Sequence, residues 1–194
     1  MELREGGGLG NLAYYYFDFR DQDKQNVRHL ITSLLVQLSM SSNLCRDIIY
    51  SLYLDHGNGT QHPSNDALVD CLKEMLTATA EHPTYIILDA LDECPDGSGM
   101  PTPREAVLGL VEDLVRRRLP NLHICVTSRL EVDIKNRLEP LAFKAVSLHD
   151  ESGQKKDVAD YVTTIVYSDA KMQAWRDDDR ELAVKLLSEK ADGM

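Results

Sequence analysis

The chain has few cysteines, a shortage of basic charge and no long apolar run, and each shortage removes a class of function. Its four cysteines, Cys45, Cys71, Cys94 and Cys125, form no Cys-x-x-Cys pair and have no histidine at zinc-ligand spacing. That argues against a metal knuckle and for reduced thiols in a cytoplasmic protein. No apolar stretch approaches the ~20 residues that span a bilayer. The opening Met-Glu-Leu-Arg-Glu-Gly-Gly-Gly has no hydrophobic stretch of the kind a secretory signal needs. Acidic residues outnumber basic ones 32 to 21, giving a formal net charge of -11, so neither nucleic acid nor an anionic membrane is an expected partner. The longest basic run, Arg116 to Arg118, closes an expected helix, where cations complement the helix dipole.

What is present is an alternation of short apolar runs with segments of helical period. That pattern predicts an α/β fold, a parallel sheet with helices on both faces. The aromatic run Leu12 to Phe19 predicts a strand, and Val27, Leu30, Ile31, Leu34, Leu35 and Leu38 follow as one helical stripe. Further stripes run through Leu44, Ile48, Ile49 and Leu52, and through Leu68, Leu72, Met75 and Leu76. Tyr85 to Leu88 is continuously apolar, which predicts a central strand buried on both faces. Thr102-Pro103-Arg104-Glu105 predicts a helix start with threonine as N-cap, proline at the first position and glutamate closing a capping box. Leu122 to Val126 reads as the next strand and Phe143 to Leu148 as another, and two helical stripes follow, through Val158 to Ile165 and Leu182 to Leu187.

The chemistry gathers where two neighbouring strands end. Ligands of open α/β sheets bind outside the carboxyl ends of strands, and there this sequence places Asp89, Asp92 and Glu93 after one strand and Thr127-Ser128-Arg129 after the next. An aspartate directly after a buried strand can hold Mg²⁺ through its water shell, which suits Asp89. An acid a few residues later can orient or deprotonate an attacking water, which suits Asp92 and Glu93. Arg129 can sense a terminal phosphate by charge-assisted hydrogen bonds, with the Thr127 hydroxyl offered to the same region. Each half alone reads equally as loop solvation or a cap; the combination is the specific signal. Cys94, Cys125 and His123 have no catalytic partner placed by the sequence and read as core or rim residues.

Tyr85 to Cys94, together with Ile124 to Arg129, resembles the Walker B and sensor 1 segments of NACHT domains in fungal STAND proteins, including the nephrocystin-like group. Phe17 to Phe19, the Leu-x-x-Leu-Leu-x-Gln-Leu stretch ending at Leu38 and the closing Lys190 to Met194 extend the likeness over roughly residues 12 to 194. The resemblance implies a three-layer P-loop nucleoside triphosphatase with ATP or GTP and Mg²⁺ as ligands, slow hydrolysis, and oligomers formed with itself or with other NACHT chains. It also implies a setting in fungal non-self recognition and cell death. It divides the chain into a flexible Gly-rich leader over 1–11, a partial NACHT core over 12–168 and the start of a truncated helical extension over 169–194.

The departure from that family pattern is the phosphate loop. Gly-x-x-x-x-Gly-Lys-Ser/Thr cradles phosphate with its amides and reaches the β and γ phosphates with its lysine; here no lysine is followed by serine or threonine, and Gly6 to Gly10 contain no lysine. The resemblance therefore implies a missing first central strand, between those of Thr127 and of Phe143 to Leu148. Three readings follow: a weak or non-hydrolysing nucleotide binder, a non-catalytic module that pairs with intact NACHT proteins, and a metal-dependent hydrolase built on Asp89, Asp92 and Glu93. The last ranks lowest, because no histidine ligand or second acid cluster accompanies those acids.

Overall fold

A computed structural model of the protein describes residues 10–97, 99–147 and 152–190, so the Gly-rich leader, apart from its last two residues, lies outside the described residues. The chain forms two compact units, Met1–Ala142 and Phe143–Met194.

In the first unit, β1 (Asn11–Tyr16), β2 (Thr84–Asp89) and β3 (Leu122–Val126) make one parallel sheet in the order β1-β2-β3. The chain enters β1 through Gly10, where a Cβ would sit 2.0 Å from the Pro83 carbonyl oxygen, so only glycine fits. Helices α1 (Val27–Ser41), α2 (Asn43–Asp55) and α3 (Asn65–Ala78) lead from β1 to β2, and α4 (Pro103–Arg116) leads from β2 to β3. Helix α5 (Val132–Leu138) follows β3.

The first four helices start by one device. The side chains of Asn26, Ser42, Ser64 and Thr102 accept hydrogen bonds from the backbone N–H groups of His29, Cys45, Ala67 and Glu105, each satisfying one donor that the helix leaves orphaned. At α4 the Glu105 carboxylate also accepts from the Thr102 N–H at 2.8 Å, completing the capping box that the sequence predicts.

The core lies on one side of the sheet. Ala13, Tyr15, Ile86 and Leu88 pack there with Leu30, Leu34 and Leu38 of α1, Leu72 and Met75 of α3, and Val107, Leu108 and Val111 of α4. Burying each large apolar side chain contributes about 1.5–3 kcal/mol. The opposite face is open: Leu12, Tyr14, Tyr16, Tyr85 and Ile87 are 38–56% exposed.

Two expectations are corrected here. Helices do not cover both faces of this sheet among the described residues, and β2 alternates between buried and exposed residues instead of being buried on both faces. The strand order explains why. Crossovers between parallel strands are right-handed, so two successive crossovers that advance in the same direction lay their helices on the same face; covering the other face requires the order to reverse.

A third expectation also fails. Phe143 to Ser147 form no strand, and the Phe143 side chain is fully exposed; Leu148 lies outside the described residues. An alternating sequence becomes a strand only beside a ladder partner, and among the described residues no strand pairs with this segment.

The two edges of the sheet differ. On β1 the outward-facing Tyr14 donates its N–H to Gln37 Oε1 at 3.1 Å, and its carbonyl accepts from Gln37 Nε2 at 2.8 Å, so a helix side chain seals that edge. Among the described residues no strand pairs with the far side of β3.

In the second unit the two closing stripes fall on helices, and α6 (Ser152–Ser168) packs against α7 (Asp177–Lys190). Val166 is buried, and the Arg180 guanidinium lies 5.3 Å from the Tyr167 ring centroid.

Candidate functional site

The parallel register that sets Leu88 beside Val126 brings the ends of β2 and β3 together. There the Thr127 hydroxyl donates to Asp89 Oδ1 and accepts the Ala90 N–H at 3.0 Å, while the Thr127 carbonyl accepts the Leu91 N–H at 2.9 Å. These bonds hold Ala90 in a left-handed conformation, φ 55° and ψ 47°, at a cost of about 1–2 kcal/mol for a residue with a Cβ. The chain turns sharply out of the sheet and leaves the Asp89 carboxylate exposed.

The turn continues as a short 3₁₀ segment, Leu91–Glu93, anchored by the fully buried Leu91. Its two acids diverge. Asp92, whose side chain is 9% exposed, accepts the Arg129 N–H at 3.0 Å on Oδ1 and pairs with Arg129 Nε at 3.5 Å on Oδ2. Glu93 Oε2 accepts the Phe19 N–H at 3.2 Å. A cavity of about 350 Å³ opens here, lined by Phe19, Gln25, Asp92, Glu93, Arg129 and Glu131 among others.

All five residues singled out from the sequence thus come to one end of the sheet, in two groups. Asp92, Glu93 and Arg129 line the cavity, whereas Asp89 and Thr127 bond to each other outside its lining. Three carboxylates face one guanidinium in that cavity. Arg129 is 80% exposed along its side chain, so its pairing with Asp92 leaves it free to turn toward a ligand at small energetic cost. After β1, three hydrogen bonds from Arg20, two from its guanidinium and one from its backbone N–H, hold the Asp18 carboxyl down at about 2.

Arg104 is the residue that sequence reasoning missed. It is buried, and its guanidinium donates to the Cys94 carbonyl at 2.9 Å, to the Asp92 carbonyl at 2.8 Å and to the Asp133 carboxylate at 3.3–3.4 Å. From the first turn of α4 it therefore clamps the loop that carries Asp92 and Glu93 to the start of α5. Its place after Pro103 reads as a solvated helix start, and nothing in the local sequence signals that it turns inward.

The remaining candidates take plain structural places. His123 stacks on Tyr85 on the open face, with centroids 4.9 Å apart and planes at 17°. Cys125 is exposed; Cys45, Cys71 and Cys94 are buried free thiols. Burial pushes the Cys94 thiol up to about 12, with Arg104 pulling weakly the other way. Among the described residues no three His, Cys, Asp or Glu side chains come close enough together to hold a metal ion. Also among the described residues, no helix is long and apolar enough to cross a membrane.

Comparison with curated proteins and with solved structures returns no match. The family model described as "Nephrocystin 3, N-terminal" matches residues 2–129, which include β1, β2, β3 and every residue of the Asp89 to Arg129 edge. With well over half of its length so matched, the chain belongs to the nephrocystin 3, N-terminal family.

Proposed function

We propose that this chain is a NACHT-type module of a STAND-class signalling P-loop nucleoside triphosphatase, a weak binder of ATP or GTP with Mg²⁺ and at most a slow hydrolase. The observation that carries this reading is the Asp89–Thr127 pair at the adjoining carboxyl ends of β2 and β3, with Asp92, Glu93 and Arg129 one turn away.

The residues present fit the metal side of such a ligand. An exposed carboxylate at the end of a central strand, beside a threonine hydroxyl, is the donor set that an outer-shell Mg²⁺ requires. Bound Mg²⁺-nucleotide would supply the reactive phosphoryl group. Asp89 would order the metal's water shell, and Thr127 would hold that carboxylate in place. Arg129, on leaving Asp92, would meet the terminal phosphate. Glu93 spends one oxygen on the Phe19 N–H, which leaves the other to orient a water. Binding is weak in this reading because the sequence contains no lysine followed by serine or threonine to cradle the phosphates.

The test is titration of a fluorescent ATP or GTP analogue into folded protein, with and without Mg²⁺, using Asp89→Ala as control. Saturable, Mg²⁺-dependent binding that falls at least tenfold in Asp89→Ala is the expected outcome, a difference of about 1.4 kcal/mol. Absence of binding to folded protein would overturn the nucleotide reading. A second reading, a non-catalytic module that pairs with other NACHT chains or with itself, draws on the exposed Leu12, Tyr14, Tyr16, Tyr85 and Ile87.

A further inference from the structure

The turn between α2 and α3 holds the sequence's single Asn-Gly pair, Asn58-Gly59; the other six asparagines are each followed by a residue that carries a side chain. Both residues have positive φ, 54° at Asn58 and 81° at Gly59, which a tight I′ turn requires and for which Asn-Gly is the preferred pair. Packing demands the glycine as well, since a Cβ there would lie 2.5 Å from Cε2 of Tyr53. The turn is fixed by its outer groups: Thr60 N–H donates to the Gly57 carbonyl at 3.2 Å, and Gln61 N–H to the His56 carbonyl at 3.1 Å. Its inner groups are untied. Asn58 and Gly59 are exposed, and among the described residues neither the Asn58 carboxamide nor the Gly59 N–H makes a hydrogen bond. The side chains of Asn11, Asn26, Asn65 and Asn121 are all bonded, and Asn43 and Asn136 lie in α2 and α5, where the helix fixes the main chain.

We propose that Asn58 is a site of spontaneous deamidation and isoaspartate formation in the folded protein. Asparagine is a chemically labile residue, and here both reacting groups are free and no side chain on residue 59 crowds their approach. Hydroxide takes the Gly59 amide proton, the nitrogen bonds to Asn58 Cγ, the Cγ–Nδ2 bond breaks, and ammonia leaves with a proton from water, which regenerates the hydroxide. The cyclic succinimide so formed then takes up a water molecule. Opening of the bond between the ring nitrogen and Cγ gives aspartate. Opening of the bond between that nitrogen and the main-chain carbonyl carbon of residue 58 gives isoaspartate, with the chain now running through the former side chain. Water is consumed, ammonia is released, and nothing is oxidised or reduced. Either product adds a negative charge to a chain already at -11. Isoaspartate also inserts a methylene into the main chain inside the turn, which the bonds from Thr60 to Gly57 and from Gln61 to His56 cannot span unchanged. The site lies outside the Asp89 to Arg129 edge and does not rest on the function proposed above.

The test incubates the full chain at mildly alkaline pH, with circular dichroism confirming that it stays folded, beside the variants Asn58→Gln and Asn58→Asp. Isoaspartate is detected by enzymatic methyl transfer from S-adenosylmethionine and located by fragmentation of the tryptic peptide 47–73. That peptide also holds Asn65, whose Oδ1 accepts from Arg28 Nη1 at 3.0 Å, as an internal control. Conversion is expected to accumulate at residue 58 and not at 65, and to quicken as pH rises, because the attacking nitrogen must lose its proton. The methyl-accepting signal should be lost in Asn58→Gln, whose longer side chain cannot close the same ring. In aged wild type, hydrogen exchange should rise at the Thr60 and Gln61 amides, whereas fresh Asn58→Asp, which keeps the main chain intact, should match fresh wild type there. Conversion at Asn58 no faster than at Asn65, or seen only after unfolding in urea, would overturn the proposal. So would a signal retained in Asn58→Gln.

Discussion

Replacing Arg104 by methionine keeps most of the apolar stem and removes three sets of hydrogen bonds at once. Two of them go to carbonyl oxygens of the Asp92 to Cys94 loop at 2.8 and 2.9 Å, and the guanidinium that makes them is about a tenth exposed. Hydrogen bonds from a charged donor contribute about 1.5–3 kcal/mol each, and carbonyls left without a partner keep their desolvation cost. The third goes to Asp133, whose side chain is 37% exposed, so solvent screening holds that ion pair to well under about 1 kcal/mol. The sum is a loss of about 3–6 kcal/mol, a large share of the ~5–15 kcal/mol that a domain has. Urea unfolding followed by circular dichroism measures it, and hydrogen exchange at the Leu91 to Cys94 amides locates it. Arg104→Lys should fall between, since an ammonium keeps the charge but not the planar fork that spans both carbonyls. A loss below about 1 kcal/mol for Arg104→Met would refute the argument, because the clamp would then be no stronger than one ordinary hydrogen bond.

Two further outcomes follow from other parts of the first unit. Gln37→Ala unseals the β1 edge at Tyr14 and should cost about 1 kcal/mol in urea unfolding; light scattering should also show more association than in the wild type, and unchanged scattering would mean that Gln37 does not guard the edge. Stability should fall steeply at alkaline pH. The Cys94 thiol is raised from 9.0 to about 12 by burial, so its contribution is complete below pH 9 and is lost as pH rises toward 12, and Tyr15, raised from 10.0 to about 12, acts in the same sense. Urea midpoints across this range should flatten in Cys94→Ala; a slope unchanged from wild type would assign the alkaline loss elsewhere.

Local patterning made much of this protein legible in its sequence. The stripe from Val27 to Leu38, the capping box at Thr102 and the apolar run before Asp89 each depend on residues within about one helical turn or one strand of each other, and the structure forms all three elements. The gathering of Asp89, Asp92, Glu93, Thr127 and Arg129 at one end was also readable, because parallel strands of one sheet must end on the same side.

Tertiary structure decided the rest, wherever the outcome depended on which neighbour was present. A continuous apolar run such as Tyr85 to Leu88 does not state whether one or both of its faces will be covered; the unreversed strand order did, by placing both crossovers on one face. Phe143 to Ser147 have a strand's alternation without a ladder to join. Arg104 and Gln37 look like surface residues in the sequence, yet one clamps two carbonyls of a loop ten residues or more away and the other seals a strand 23 residues back. Hydrophobic period and capping act over a few residues and are written locally. The satisfaction of edges, faces and buried carbonyls depends on groups that only the folded chain brings together.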